Sequence, residues 1–255
     1  MVKILRTRFK KEIVSEFLPP ARNSNEVIIL CAGMPSYPGR RNDLMEFLSQ
    51  KGYWVFLPRY RGTWESGGAF LKRSPHQDIL DIVDSLEAGF TDLWNKKKYA
   101  IRNPNVFVIG SSFGGPAAIL SSLHPKVKKI VALSPVIDWN NESELEPIDW
   151  LGEFTRSAFG NGYRFEQRDW DKLKSGKFYS PLATQSKLKG TNILLFHAKD
   201  DEVVYYEPTK VFSNKTNSTL VTMKTGGHLS ISQISTPQFW KKISSFITTP
   251  SPKGR

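Results

Sequence analysis

The sequence contains very little cysteine and histidine, and this scarcity excludes several classes of protein. Its one cysteine, Cys31, has no partner for an internal disulfide bond, and the apolar run around it favours a small buried hydrophobic residue. A chain without disulfides is typical of a reducing compartment, so we expect a cytoplasmic protein. The sequence has no HExxH motif, no paired cysteines and no GxGxxG or GxxxxGKS/T loop. We therefore expect no metal, no bound nucleotide and no other cofactor.

Long hydrophobic runs are also missing. The longest, at 27–34, is far shorter than the roughly 20 apolar residues that a membrane-spanning helix requires. The basic N-terminus, MVKILRTRFKKEIVSEF, lacks the apolar core and small-residue cleavage site of a secretory signal. We expect neither a membrane span nor secretion.

Basic residues are in excess, with 36 Lys and Arg against 24 Asp and Glu, a formal charge of +12. They are dispersed, and the densest runs, at 96–98 and 126–129, have no zinc-finger spacing or aromatic-basic RNA signature. This pattern favours a solvated surface, and we expect no nucleic-acid partner. The ordinary proportions of hydrophobic and charged residues predict a globular chain, and the length favours one domain over residues 1–255. Nothing in the sequence indicates the oligomeric state.

Short apolar runs recur along the chain and indicate strands buried on both faces, as in a parallel sheet covered by helices. These runs lie at 27–31, 53–57, 106–109, 130–133 and 193–196, with a weaker last strand at 220–224. Residues 1–20 are expected to add an antiparallel edge.

Helical patterns separate these runs. An amphipathic stretch at 43–50 ends before Gly52, and a longer one at 74–94 opens on a Ser-Pro pair. Two more are predicted at 113–123 and 236–247. The alternation predicts a doubly wound, mostly parallel α/β sheet.

The strongest motif is GSSFGG at 110–115, which follows a predicted strand directly and precedes a helix of small residues. A Gly-x-Ser-x-Gly between strand and helix is a nucleophile elbow, in which a serine occupies a sharp, strained turn. The flanking glycines allow strand and helix to approach closely. Ser112 is therefore the candidate nucleophile, and Ser111 is one residue out of phase.

A serine hydroxyl needs a base at neutral pH, and the expected chain order is serine, acid, histidine. His76 and His124 lie in helical patterns, and His197 ends a strand before the candidate acids. His228, after two glycines that follow the last strand, is assigned as the general base.

The acid is sought in the loop HAKDDEVV, which follows the strand at 193–196. Asp201, four residues past His197, is favoured over Asp200, and Asp138 is a third option. The carboxylate would orient the imidazole and stabilise its charged form.

Several segments together resemble the catalytic domain of the prolyl oligopeptidase family, in the α/β-hydrolase superfamily. They are GYWVFLPRYRGTWESGG, GSSFGG, LSPVIDW, YSPLATQSKLKGTNILLFHAKDDEVV and GGH. The resemblance spans residues 26–247, implies an α/β-hydrolase sheet, and puts Asp201 in the acid position. Because about 25 residues precede the first core strand, we expect no counterpart of the β-propeller that usually precedes this domain.

The loop after the first buried strand departs from the family pattern. It reads CAGMP, with Cys31 where family members tend to place a tyrosine that supports the oxyanion. The oxyanion would then be held by the backbone amides of Phe113 and Met34, and two preorganised amides suffice for that task. Tyr37 is an alternative contributor.

The segment at 138–182 contains many aromatic residues and no convincing strand. A long insertion between two core strands commonly covers an active site, and a packed helical segment without a gating role is the alternative. Because it follows a strand at the carboxyl edge of the sheet, we predict that Trp139 and Trp150 form an apolar wall facing Ser112.

These residues together predict a cofactor-free serine hydrolase, either a peptidase or a carboxylesterase, that acts through an acyl-enzyme on a small ester or a short peptide. The departures in the oxyanion loop and the missing propeller weigh against the peptidase. The alternative from another class is a non-catalytic binding protein on a hydrolase scaffold.

Overall fold

A computed structural model describes residues 3–39 and 41–249 of the protein. Eight strands form one sheet in the order β1-β2-β4-β3-β7-β8-β9-β10, and β5 and β6 form a separate hairpin. The strands are β1 (Leu5–Phe9), β2 (Ile13–Leu18), β3 (Glu26–Cys31), β4 (Trp54–Pro58), β5 (Phe90–Thr91), β6 (Lys98–Tyr99), β7 (Asn105–Ser111), β8 (Val127–Leu133), β9 (Ile193–Ala198) and β10 (Thr219–Met223).

The sheet is parallel from β4 to β10, and β1 and β2 add an antiparallel edge. The predicted fold class is thus confirmed, as are the six predicted core strands. The eight α-helices of the described ranges are α1 (Asn42–Gln50), α2 (His76–Ser85), α3 (Gly114–Ser121), α4 (Ile148–Phe159), α5 (Gln167–Trp170), α6 (Pro181–Thr184), α7 (Tyr206–Thr216) and α8 (Pro237–Thr248). None of these helices combines the length and apolarity needed to cross a bilayer.

Alternate side chains of the central strands belong to two buried apolar layers, one on each face of the sheet. In β3, Ile29 belongs to the layer with α2 and α3, whereas Ile28 belongs to the layer with α1 and α8. Both isoleucines are fully buried, which explains why the strand reads as a continuous apolar run.

The helix predicted at 74–94 is shorter than the sequence pattern indicated. α2 ends at Ser85, and Phe90, which falls within the predicted range, lies in β5 instead. Gly89 adopts φ +98°, which turns the chain out of the helix, and the Phe90 ring packs against Phe9 and Phe17. Tertiary packing of the aromatic ring therefore overrides helical periodicity here.

Between β8 and β9 the chain forms short helices and, within the described ranges, no strand of the main sheet. α4 buries Ile148, Leu151 and Thr155 on its inner face. The isolated bridge between Thr63 and Tyr163 ties this segment to the loop after β4. The prediction of a helical insertion over 138–182 agrees with this architecture.

Candidate active site

Ser112 occupies the turn between β7 and α3. Its φ is +53°, a left-handed conformation that costs a side-chain-bearing residue about 1–3 kcal/mol. The flanking glycines make this turn possible, because a Cβ on Gly110 would collide with the carbonyl of Gly114, and a Cβ on Gly114 with that of Cys31. The strand–turn–helix geometry is that of a nucleophile elbow.

The loop after β3 lies beside this turn. Cys31 pairs with Gly110 across β3 and β7, so the two strands release their loops at the same edge of the sheet. A Cβ on Gly33 would lie 3.1 Å from the Cβ of Ser112, so a larger residue there would push the loop or the turn away by a few tenths of an ångström.

His228 and Asp201 are in direct contact. His228 Nδ1 lies 3.0 and 3.1 Å from the two carboxylate oxygens of Asp201. Nδ1 therefore carries the proton that the carboxylate accepts, which leaves Nε2 as the basic nitrogen. Ser112 Oγ and His228 are not hydrogen-bonded to each other among the described side chains, and such bonds commonly tighten only when substrate binds.

The Asp201 carboxylate is held by a network of donors. Its Oδ1 accepts the amides of Val203 and Val204 at 3.1 and 2.9 Å, and Oδ2 lies 3.3 Å from His197 Nε2. Burial acts to raise the pKa of Asp201, but the hydrogen bonds from His197 and His228 outweigh it and hold that pKa well below the ordinary value. The group stays ionised, as an orienting carboxylate must.

His197 was considered in the sequence only as a competing histidine, and it supports the acid loop instead. It is fully buried, and its Nε2 donates to the Val204 carbonyl at 2.8 Å while Nδ1 contacts Thr209 Oγ1 at 2.9 Å. The motif HxxxD, with histidine at the end of the strand, carried this signal.

The two other candidate acids have different tasks. Asp200 accepts the amides of Gly226 and Gly227 at 3.2 and 2.9 Å, and these bonds lower its pKa, so it shapes the turn before His228. Asp138 accepts the amide of Asn140 at 3.0 Å in the turn that follows β8.

The end of β8 links the serine turn to the histidine loop. Ser112 donates its amide to the carbonyl of Leu133 at 3.0 Å, and the next residue, Ser134, accepts the amide of Leu229 on its Oγ at 3.1 Å. Ser134 is fully buried, and sequence reasoning did not single it out. It is a positioning residue for the loop that carries His228.

A cleft of about 600 Å³, which we call the Ser112 cleft, opens in front of the serine. Met34, Phe113 and Trp139 line it, together with Val204 from the acid loop. The Trp139 ring packs against Phe113 with centroids 5.8 Å apart, and its indole N–H donates to the Tyr179 carbonyl at 2.8 Å. Trp139 thus occupies the predicted wall.

The structure does not bring Trp150 or Tyr37 to the Ser112 cleft. Trp150 lies on the outer face of α4, is 46% exposed, and stacks on Phe154 with centroids 5.1 Å apart. The helical period causes this, because Ile148 and Leu151 take the inward positions. Tyr37 lines a separate cavity together with Trp64 and Tyr163.

Phe113 and Met34 both line the Ser112 cleft, and neither backbone amide donates a hydrogen bond among the described residues. Two buried tyrosines hold their segments in place. Tyr179 donates its hydroxyl to the Phe113 carbonyl at 2.6 Å, and Tyr60 donates to the Ala32 carbonyl at 3.3 Å. Burial raises the pKa of both phenols well above 10, which keeps them as donors.

The remaining histidines lie elsewhere. His76 contacts Ser74 at the start of α2, and His124 lies 3.1 Å from Asp84. Within the described ranges, no group of three His, Cys, Asp or Glu side chains is arranged to hold a metal ion.

Comparisons with known proteins agree with this geometry. The family model for the prolyl oligopeptidase family matches residues 41–249. The chain belongs to this family. Its members fold as α/β-hydrolases of the serine hydrolase class, so both the predicted resemblance and the predicted class are confirmed.

Solved structures support the fold at low sequence identity. An esterase of Pyrococcus furiosus has a TM-score of 0.67 at 19% identity, over 96% of this chain and 90% of that one. The acylaminoacyl peptidase of Pyrococcus horikoshii has a TM-score of 0.65 at 18% identity, over 99% of this chain and 42% of the peptidase. Est1E from Butyrivibrio proteoclasticus has a TM-score of 0.61 at 17% identity, over 97% and 100%.

Among curated proteins, a thermostable monoacylglycerol lipase of Bacillus sp. (strain H-257) is 29% identical over 119 residues. The match covers 46% of this chain and 44% of the lipase, so the chain spans less than half the length of that relative.

Proposed function

We propose that this serine hydrolase cleaves the acyl bond of a small ester or a short peptide through an acyl-enzyme. Ser112 Oγ attacks the acyl carbon while His228 Nε2 takes its proton, and Asp201 orients the imidazolium that forms. The amides of Phe113 and Met34 stabilise the oxyanion. The imidazolium then protonates the departing alcohol or amine. In the second half of the reaction, water attacks the acyl-enzyme while His228 takes its proton, and the imidazolium returns a proton to Ser112 Oγ as the acid departs.

The observation that carries this proposal is the convergence of three loops at one edge of the sheet. A serine with φ +53° lies at the end of β7, and a buried carboxylate in the loop after β9 contacts His228 in the loop after β10. A strained, glycine-flanked serine at the same sheet edge as a histidine–carboxylate pair is costly to maintain, which favours a catalytic role over a non-catalytic scaffold.

The Ser112 cleft supports the choice of substrate class. Its wall suits a small apolar group, because it combines Trp139 with aliphatic residues of α4 and the acid loop. The structural neighbours are described as esterases and as an acylaminoacyl peptidase, and the curated relative as a lipase. We propose an apolar acyl group in this cleft, with the segment at 138–182 covering it.

Hydrolysis of p-nitrophenyl esters of increasing acyl length, beside aminoacyl and peptidyl anilides, tests the proposal. We expect turnover of at least one series, and its loss in Ser112→Ala, whereas Ser111→Ala retains it. Turnover that survives in Ser112→Ala would contradict the assignment, and absence of turnover in every series would favour the binding protein.

A further inference from the structure

Tyr179 combines a strained backbone with a buried side chain. It lies in the turn before α6 with φ +52°, a left-handed conformation that is an outlier for so bulky a residue. The residue is only 2% exposed. Such strain persists only where the surrounding structure imposes it, and it is concentrated at functional sites. The contacts of Tyr179 therefore indicate what the strained turn holds in place.

Tyr179 contacts both the wall of the Ser112 cleft and the nucleophile turn. Its backbone carbonyl accepts the indole N–H of Trp139 at 2.8 Å, and its hydroxyl donates to the carbonyl of Phe113 at 2.6 Å. The rings of these three residues pack together, with centroids 5.0 to 6.1 Å apart. One buried residue thus joins the aromatic wall of the cleft to the residue that follows the nucleophile.

The Phe113 amide is held through the peptide groups on both sides of its Cα. The preceding peptide is held by its carbonyl, that of Ser112, which accepts the amides of Gly115 at 2.9 Å and Val136 at 3.3 Å. The following peptide is held by the Tyr179 hydroxyl at the Phe113 carbonyl. The N–H of Phe113 belongs to the first peptide and donates to no described residue, so it is available to an oxyanion.

We propose that Tyr179 is a positioning residue for the oxyanion. Its hydroxyl fixes the peptide group after Phe113 and thereby the direction of the Phe113 amide, while its carbonyl ties this arrangement to Trp139 in the cleft wall. An amide donor that is held in advance stabilises the oxyanion without reorganising during the reaction. The inference rests on the proposed function, because an oxyanion forms only if Ser112 attacks a carbonyl.

The test compares a p-nitrophenyl ester that the wild type hydrolyses with the p-nitrophenyl thionoester of the same acid, in which sulfur replaces the carbonyl oxygen. Sulfur is a weak hydrogen-bond acceptor, so the thionoester gains less from the oxyanion amides. Tyr179→Phe should lower kcat for the ester about tenfold with KM nearly unchanged, since removing a whole oxyanion donor costs about 10²–10³ and here the donor is only displaced. The ratio of kcat/KM for ester and thionoester should fall by nearly the same factor.

Thr7→Val is the matched control for the loss of a buried hydroxyl. Thr7 is fully buried in β1, at the antiparallel edge of the sheet, and its hydroxyl donates to the carbonyl of Thr91 at 2.9 Å. Both variants remove one buried donor from a backbone carbonyl, so both should lower the melting temperature by a similar few degrees. Thr7→Val should nevertheless keep the wild-type kcat and the wild-type ratio of ester to thionoester.

Trp139→Phe gives a second reading of the same contact. It keeps an aromatic ring in the wall but removes the indole N–H that holds the Tyr179 carbonyl. Because ester and thionoester carry the same acyl group, the loss of wall contacts cancels in their ratio, and that ratio should still fall. In the Tyr179→Phe background the same substitution should lower the ratio little further, since both changes act through one residue.

The outcomes separate failure of the inference from failure of the proposed function. If Tyr179→Phe slows ester and thionoester equally, as loss of a purely structural anchor would, the inference is overturned while the hydrolytic role stands. If Tyr179→Phe does not fold, an unchanged ratio in Trp139→Phe overturns the inference in the same way. Ester hydrolysis that persists in Ser112→Ala, or that is absent from the wild type, would instead overturn the proposed function, and the oxyanion with it.

Discussion

The nucleophile turn and the helical segment between β8 and β9 lie at the same edge of the sheet, but different forces hold them in place. Gly110 and Gly114 fix the turn through backbone approaches that no other residue tolerates. The segment is positioned by contacts with distant residues, such as the hydrogen bond from Trp139 to Tyr179 and the bridge between Thr63 and Tyr163. A turn that depends on neighbouring glycines can be predicted from the sequence, whereas contacts between distant residues cannot.

Removing the carboxylate of the acid loop should have the largest effect, and this effect should be on kcat. Asp201→Asn should lower kcat by about 10⁴, because the amide stabilises the wrong imidazole tautomer. Asp200→Asn is the neighbouring control, since Asp200 only holds the turn at 226–227, and should cost less than tenfold. Steady-state kinetics on one ester would measure both, and the reverse ranking would move the acid to Asp200.

A methyl group in the nucleophile turn should cost considerable stability. Gly114→Ala places a Cβ against the Cys31 carbonyl, and we expect the free energy of unfolding to fall by about 3 kcal/mol. Gly67→Ala, where the nearest atom to a Cβ is 3.5 Å away, should change it by less than about 1 kcal/mol. Urea denaturation compares the two, and equal losses would show that the turn is not tightly constrained.

Removing the aromatic wall should alter selectivity. Trp139→Ala should change the ratio of kcat/KM for bulky and short acyl esters by about 10- to 100-fold, because it enlarges the Ser112 cleft. Trp150→Ala, on the outer face of α4, should change that ratio by less than about twofold. A larger effect at Trp150 would show that the segment moves and brings this residue to the substrate.

Acid should destabilise the protein partly through Asp201. Its pKa is lowered on folding, so its contribution to stability is present above the pKa of about 3.9 in the unfolded chain and is lost as the pH falls below it. Asp201→Asn should be less stable than the wild type at pH 7, and this difference should shrink towards pH 3. Thermal melting across that range measures it, and a constant difference would contradict the linkage.

Much of the sheet and three catalytic candidates could be predicted because each has a local signature. Buried strands are continuous apolar runs, and Ser112 is set by glycines two residues away. Asp201 could be favoured over Asp200 but not decided, since both lie in one loop and only the packing of His197 turns one of them inward.

Other features depend on contacts between distant residues. α7 was not predicted because its sequence is mostly polar, and Phe212 is buried only by its packing on the sheet. Both Trp139 and Trp150 were predicted in the wall, but only Trp139 lines the cleft. Which face of α4 carries Trp150 depends on the residue at which the helix starts, and the preceding loop sequence does not fix that residue. That residues 1–255 form one domain, and that 138–182 covers the cleft, stay predictions.

The most direct test of the catalytic role is covalent labelling with a fluorophosphonate, followed by peptide mapping by mass spectrometry. The structure predicts one adduct per chain on Ser112, no adduct in Ser112→Ala, and a much slower reaction in His228→Ala. An adduct on a different serine, or the same labelling rate without His228, would contradict the assignment of Ser112 and His228 as nucleophile and base.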